Sequence, residues 1–272
     1  MISKILLVLG VIVLSLALRS FRNSVIHRLG TLGIFVASFL AGWLFTDNII
    51  VGVLFALSWF ALPWLEILTR VRALRLPAER TLTHCSPPPR NTFPGLHELT
   101  DEIEEQGFEH LSDSSWSWDD HRQFFRLFHN PKDRQQASIC LVEQSDLAFY
   151  YVTVSCRDAK GNMWMTWNYP FSYGLKFLPQ LKINRINGES GFDEILENHH
   201  MFIESQKIET EQLLLQTVEE TEANIQSDLR DQIQHNIKLG LLKREGENSI
   251  RYSVRGMFFL WLQFVRDFVR FS

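Results

Sequence analysis

The chain has 272 residues, is 46% hydrophobic and 21% charged, and carries a formal net charge of -4. With 27 Lys and Arg against 31 acids and no basic cluster, it lacks the surface that displaces counterions from phosphate, so no nucleic-acid partner is expected. Charge is unevenly placed: residues 1–69 hold four Lys and Arg against two acids, whereas residues 70–272 hold 23 against 29.

Three apolar runs open the chain, Ile5 to Leu18, Leu29 to Phe45 and Ile49 to Leu68, of 14, 17 and 20 residues. About 20 residues of helix cross a bilayer core of about 30 Å, so residues 1–69 read as a transmembrane helical region. The first run admits a second reading, a secretory signal cleaved near Ser15-Leu16-Ala17. Arg19 and Arg22 follow at once, and positive charge past a cleavage site opposes translocation, which favours a retained span. Only Thr46-Asp47-Asn48 separates runs two and three, which forces them into a tight antiparallel hairpin. Gly33, Ala37 and Ala41 on one helix, with Gly52 and Ala56 on the other, are the expected contact rows.

The segments Arg19 to Arg28 and Arg70 to Arg80 are both basic and lie two spans apart. The positive-inside rule then puts them in the cytoplasm, with the amino terminus outside and a large cytoplasmic domain. A multi-pass protein of the plasma (inner) membrane is the resulting expectation. Its span interiors carry no ionisable residue, which argues against a transport path.

Residues 70–94 read as a linker, stiffened by Ser86-Pro87-Pro88-Pro89. An α+β domain is expected over 95–255. It opens with a helix in which Leu96, Leu99 and Ile103 share a face and Gly107 is the stop. Strand alternation then marks 108–116, 124–128, 138–143, 147–157 and 163–169, separated by turn residues at His129 to Asp133 and Asp158 to Asn162. An antiparallel β-meander flanked by helices fits this pattern. In its last strand Met163, Met165, Trp167 and Tyr169 share one face and Trp164, Thr166 and Asn168 the other. Aromatic residues on both faces imply that both are covered, either by the chain's own helices and loops, the favoured reading, or by a ligand, for which Trp164, Trp167 and Tyr169 are the candidate binding residues.

From Phe192 to Leu239 there is no Gly or Pro, and Ile208, Leu215, Val218, Ile225, Leu229 and Ile233 recur at helical spacing. This predicts a long helix over 192–239, broken at most once, able to pair with another copy or to pack on the sheet. A hairpin turning at Glu245-Gly246-Glu247-Asn248 follows. Residues 256–272 then predict an amphipathic C-terminal helix lying on the membrane surface, with Phe258, Trp261, Phe264, Arg266, Phe268 and Arg270 as its lipid contacts; the alternatives are a helix that caps the sheet or packs against the three spans.

Chemistry is sparse. Glu197, His200 and Glu204 share a helical face, but a carboxylate-bridged metal site needs a second such set and none is present in the sequence. Cys85, Cys140 and Cys156 have no zinc-ligand spacing, and nucleophile and phosphate-loop motifs are missing. No catalytic residue, metal or cofactor is expected. The partners expected are the lipid bilayer and a protein, or a second copy of the chain, met through the transmembrane hairpin or the 192–239 helix. The first functional reading is a membrane protein presenting a non-catalytic interaction or scaffold domain. The alternative is a membrane-tethered small-molecule sensor with an aromatic-lined pocket in its sheet.

Overall fold

The computed structural model describes residues 2–21, 24–144, 147–186, 188 and 190–271. Arg22 and the side chains of Arg28, Val218, Phe268 and Arg270 lie outside the described residues. The chain begins with helices α1 (Ile2–Arg19), α2 (Ser24–Thr46) and α3 (Ile49–Glu66), which runs into a π-helical turn (Ile67–Val71). Strands β1 (Leu76–Pro77) and β2 (Thr83–His84) and helix α4 (Leu96–Glu105) follow. Next come β3 (Glu109–Trp118), β4 (His121–Asn130), β5 (Gln135–Gln144), β6 (Leu147–Arg157), β7 (Met163–Trp167) and β8 (Leu181–Arg185). Helices α5 (Phe192–Ser205) and α6 (Val218–Lys238), strands β9 (Leu242–Arg244) and β10 (Ser249–Tyr252) and helix α7 (Val254–Phe271) complete it. Two compact units emerge: residues 1–74 with 172–174 and 252–272, and residues 75–171 with 175–251.

In the first unit, three helices are long and apolar enough to cross a membrane. Asn48 caps α3 by accepting from the Ile50 amide at 2.9 Å, which stops α2 and starts α3 within the three-residue link. The helices touch through glycine, but the rows differ from those expected. A Cβ on Gly33 would sit 2.1 Å from Ser15 Oγ, so the Gly33 row faces α1. It is Gly42 that meets Gly52: a Cβ on Gly42 would lie 2.9 Å from the Gly52 Cα, and one on Gly52 2.9 Å from the Phe39 carbonyl. The Trp59 indole donates to Ser38 Oγ at 2.8 Å across the same seam. Where no hydrophobic force drives helices together, such close backbone approach supplies the attraction. Gly52→Val is therefore expected to cost about 1–3 kcal/mol through overpacking. Gly10→Val, with nothing within 4 Å of its Cβ, is the neutral control. Unfolding in mixed detergent micelles followed by circular dichroism reads the difference.

Pro63 lies inside α3, and the regular ladder gives way to the π-helical turn only after Glu66, where the Arg72 amide reaches the Ile67 carbonyl at 2.8 Å. Helix α7 belongs to this unit. Trp261 donates its indole N–H to the Phe60 carbonyl at 2.7 Å and stacks on Trp64 at 6.2 Å, while Phe258 meets Trp64 edge-on at 4.8 Å.

The second unit holds a seven-stranded sheet, in order β2-β3-β4-β5-β6-β7-β8, and a three-stranded one, β1-β10-β9. Strands β2 to β7 form an antiparallel run in chain order, and β8 joins β7 in parallel. Two Asx turns fold the meander: Asn130 Oδ1 accepts from the Lys132 and Asp133 amides, and Asp158 Oδ1 from those of Lys160 and Asn162. One sheet face packs on α4 and α5 through a core of Phe124, Phe128, Ile139, Val152 and Val154 with Phe108, Ile103, Phe192 and Ile195.

One expectation is corrected. The 70–94 stretch is not an unpaired spacer, because Leu76 and Pro77 pair with β10 and Thr83 and His84 with β3. The 192–239 helix is broken once, as the expectation allowed, into α5 and α6, with residues 206–217 between them. The break is a capping box: Thr217 accepts from the Glu220 amide at 3.3 Å and the Glu220 carboxylate takes the Thr217 amide at 2.8 Å.

Candidate functional site

The sheet face opposite α4 and α5 is where the candidate residues converge. Here the sequence places serines, threonines and aromatics instead of aliphatics, and α6 answers with polar side chains. Glu222 accepts from Ser112 Oγ at 2.6 Å and Ser114 Oγ at 2.7 Å on β3. Gln136 on β5 donates to Thr221 Oγ1 at 2.7 Å and also pairs with Gln216. Arg157 at the end of β6 forms an ion pair with Asp228, whose pKa burial pushes up while the guanidinium pulls it down. Asn236 and Gln232 both donate to the Lys176 carbonyl. Glu222, a break in any coiled-coil seam, is thus a clamp that fixes α6 on the sheet. The half-buried carboxylate is held there by two hydroxyls that donate to it.

The aromatic residues fill the rest of this face. Trp167 stacks on Tyr169 at 5.1 Å, Tyr151 meets Tyr169 edge-on at 4.9 Å, and Phe177 meets Trp167 at 5.6 Å. Phe149 joins Tyr169 at 5.6 Å and Phe171 at 5.1 Å. The Tyr151 hydroxyl accepts from Gln123, whose carbonyl in turn accepts from the Trp116 indole at 3.2 Å. Of the three sequence-predicted residues, Trp167 and Tyr169 are brought together. Trp164 lies on the opposite face, buried with Cys156, Ile203 and Leu213. Edge-to-face and offset-stacked rings at these distances satisfy one another, so the aromatics contact the chain itself. A small pocket at the strand ends, lined by Asn130, Gln135, Arg157, Leu214 and Gln216, has a volume of about 10 Å³, room for a single water.

His199 is the residue that sequence reasoning missed. It is fully buried, its Nδ1 lies 3.0 Å from Thr166 Oγ1, and its Nε2 has no hydrogen-bond partner among the described residues. Desolvation, aided by neighbouring His200, lowers its pKa to about 3, so it is neutral at pH 7. The signal was present: Ile195, His199 and Ile203 recur every four residues on the buried side of α5. With Thr166 equally enclosed, a substrate has no route to this pair.

The remaining candidates stand apart. Glu197, His200 and Glu204 are exposed along α5, and among the described residues no three His, Cys, Asp or Glu side chains are grouped to hold an ion. Burial pushes the thiols of Cys140 and Cys156 up to about 11 and about 12, far from the range of an activated nucleophile. Among the surface-helix residues, Trp261 and Phe264 are half-buried and Phe258 and Arg266 exposed. Comparison with known protein families, characterised proteins and solved structures finds no match for this chain.

Proposed function

We propose that the protein is a multi-pass component of the plasma (inner) membrane that holds a non-catalytic interaction module at the cytoplasmic face. The observation that supports this reading is that both faces of the large sheet are filled from within the chain. Aliphatic residues of α4 and α5 close one face. The other is closed by the α6 polar clamp and by the Trp167, Tyr169 and Tyr151 cluster. A sensor would need that cluster to open, and an enzyme would need reactive groups that solvent can reach. The module's outward surface is what remains for function. It is acidic: residues 75–171 and 175–251 hold 18 Lys and Arg against 28 acids, and Glu98, Asp101 and Glu102 on α4 and Asp193, Glu194 and Glu197 on α5 are all exposed. Steering by opposite charge fits a protein partner with a basic surface. The Gly42 and Gly52 rows and the inner side of α6 are already used within the chain, so self-association through them is the weaker option.

Purification of the full chain in mild detergent, followed by cross-linking and mass spectrometry, tests the proposal. A stoichiometric protein whose cross-links fall on α4 and α5, and which is lost when Glu98, Asp101 and Glu102 become Gln, is the expected result. A partner-free chain, or one cross-linked only through residues 1–74, would overturn it.

Orientation is tested separately. In a Cys85→Ser background, Asn48→Cys is expected to react with an impermeant thiol reagent on intact cells and Arg90→Cys only after permeabilisation. The opposite pattern would reverse the topology.

A further inference from the structure

Helix α7 is turned inside out for a helix in contact with water. Its polar side is the enclosed one: Gln263 is only 8% exposed, and Asp267 accepts from the Ser172 amide at 2.7 Å and from the Ser172 hydroxyl. Gly256 and Leu260 continue this buried side. Its free side is apolar, with Val254 65%, Phe258 54% and Leu262 56% exposed at a spacing of four. A surface helix in a water-soluble protein shows the reverse arrangement.

The apolar side does not end with α7. Within the same unit, the Trp261 bond to the Phe60 carbonyl and the Trp64 contacts seat α7 on the last turns of α3. There Leu62, Leu65 and Leu68 are 50%, 64% and 50% exposed. The exposed grease of α7 thus adjoins the C-terminal end of a helix apolar enough to cross a bilayer, and two paired indoles mark the junction, as at a membrane interface.

Charge selects the lipid. By sequence this unit carries nine Lys and Arg against three acids, and all three acids have partners inside the unit. Asp47 pairs with Lys4 at 2.9 Å beside the α2–α3 link, Glu66 lies 3.5 Å from Arg70, and Asp267 is held by Ser172. Arg70 and Arg72, just past α3, and Arg255 and Arg266 on α7 have solvent-exposed side chains.

We propose that α7 is a lipid-binding element. Val254, Phe258 and Leu262 enter the acyl boundary of the bilayer surface, while Arg255 and Arg266, with the arginines at the end of α3, take the phosphates of anionic phospholipid. Gln263 and Asp267 face the protein because Ser172 satisfies the carboxylate there, which leaves the apolar side for lipid. The proposal rests on the membrane reading of α1 to α3 and adds a second, headgroup-selective attachment.

Site-directed spin labelling of the full chain, on the Cys85→Ser background and in phosphatidylcholine vesicles with and without phosphatidylglycerol, is the test. Labels at Phe258→Cys and Leu262→Cys are expected to be severalfold more accessible to oxygen than to a water-soluble nickel chelate, as is a label at Leu54→Cys in α3. With phosphatidylglycerol present, the 258 and 262 labels should move deeper, and Arg255→Gln with Arg266→Gln should cancel that shift. Chelate-accessible labels at 258 and 262 beside a lipid-exposed label at 54 would overturn the proposal and leave the membrane reading intact. A chelate-accessible label at 54 would overturn the membrane reading itself. Equal depth in both vesicle types would overturn the anionic selectivity.

Discussion

Replacing Val152 with aspartate is expected to unfold the sheet unit, whereas the same change at Ala148, four residues earlier on the same strand, is expected to leave it folded. Val152 is 1% exposed, pairs with Ile139 across β5 and β6, and sits in the core closed by α4 and α5. A carboxylate there has no cation within that aliphatic cluster, and burying an unpaired charge is among the few single changes that cost on the order of 4 kcal/mol or more. That is a large share of the roughly 5–15 kcal/mol that holds a typical domain together. Ala148 shares the strand face but lies exposed near its start, so a charge at that position stays in water. Thermal unfolding in detergent, followed through the fluorescence of buried Trp116, Trp164 and Trp167, separates the two variants. An unchanged melting temperature for Val152→Asp would mean that β6 faces the other way.

The second large effect is a loss of stability in mild acid that depends on His199. In the folded protein its pKa is about 3, against 6.5 for the free side chain. Between those values the unfolded chain binds a proton that the folded chain refuses, so stability is complete above about pH 6.5 and declines as pH falls. The slope from this group approaches about 1.4 kcal/mol per pH unit, which is several kcal/mol over the window at most. Asp228 works in the opposite direction, because burial raises its pKa, but Arg157 moderates that shift. Denaturant midpoints for the full chain at pH 7 and pH 5 are expected to differ clearly in the wild type. The difference should shrink in His199→Asn, where an amide replaces the ring nitrogen beside Thr166. An equal acid loss in both proteins would assign it to other groups.

Much of this architecture was legible in the sequence, for identifiable physical reasons. Strand β6 was read at its observed bounds, residues 147–157, because its alternation is uninterrupted. The Asx turns at Asn130 and Asp158 were legible because Asn and Asp carry the acceptors that make such turns. Strands β1 and β2 were not, since two residues give no period to detect, nor was β8, whose parallel pairing with β7 depends on the path of the loop between them. The position of the break before α6 was written as Thr217-Val218-Glu219-Glu220, a capping signature, but with no Gly or Pro nearby only the chance of a break, not its place, was read. At the site, the side on which each β7 residue lies followed from period two. That Tyr151 and Phe177 would join Trp167 and Tyr169 did not, because those rings come from elsewhere in the chain. The glycine rows of α2 were assigned to the wrong neighbour for the same reason: composition names small residues but not which helix approaches them.

A sheet unit that is filled by its own side chains and acts through its surface should carry a protein and not a small molecule. Native mass spectrometry of the protein, released gently from detergent after purification from its source membrane, tests this. The account predicts a mass equal to that of the chain with bound phospholipid and a protein partner, and no other small molecule. A stoichiometric small-molecule adduct that is lost in Trp167→Ala or Tyr169→Ala, while the partner is absent, would contradict it.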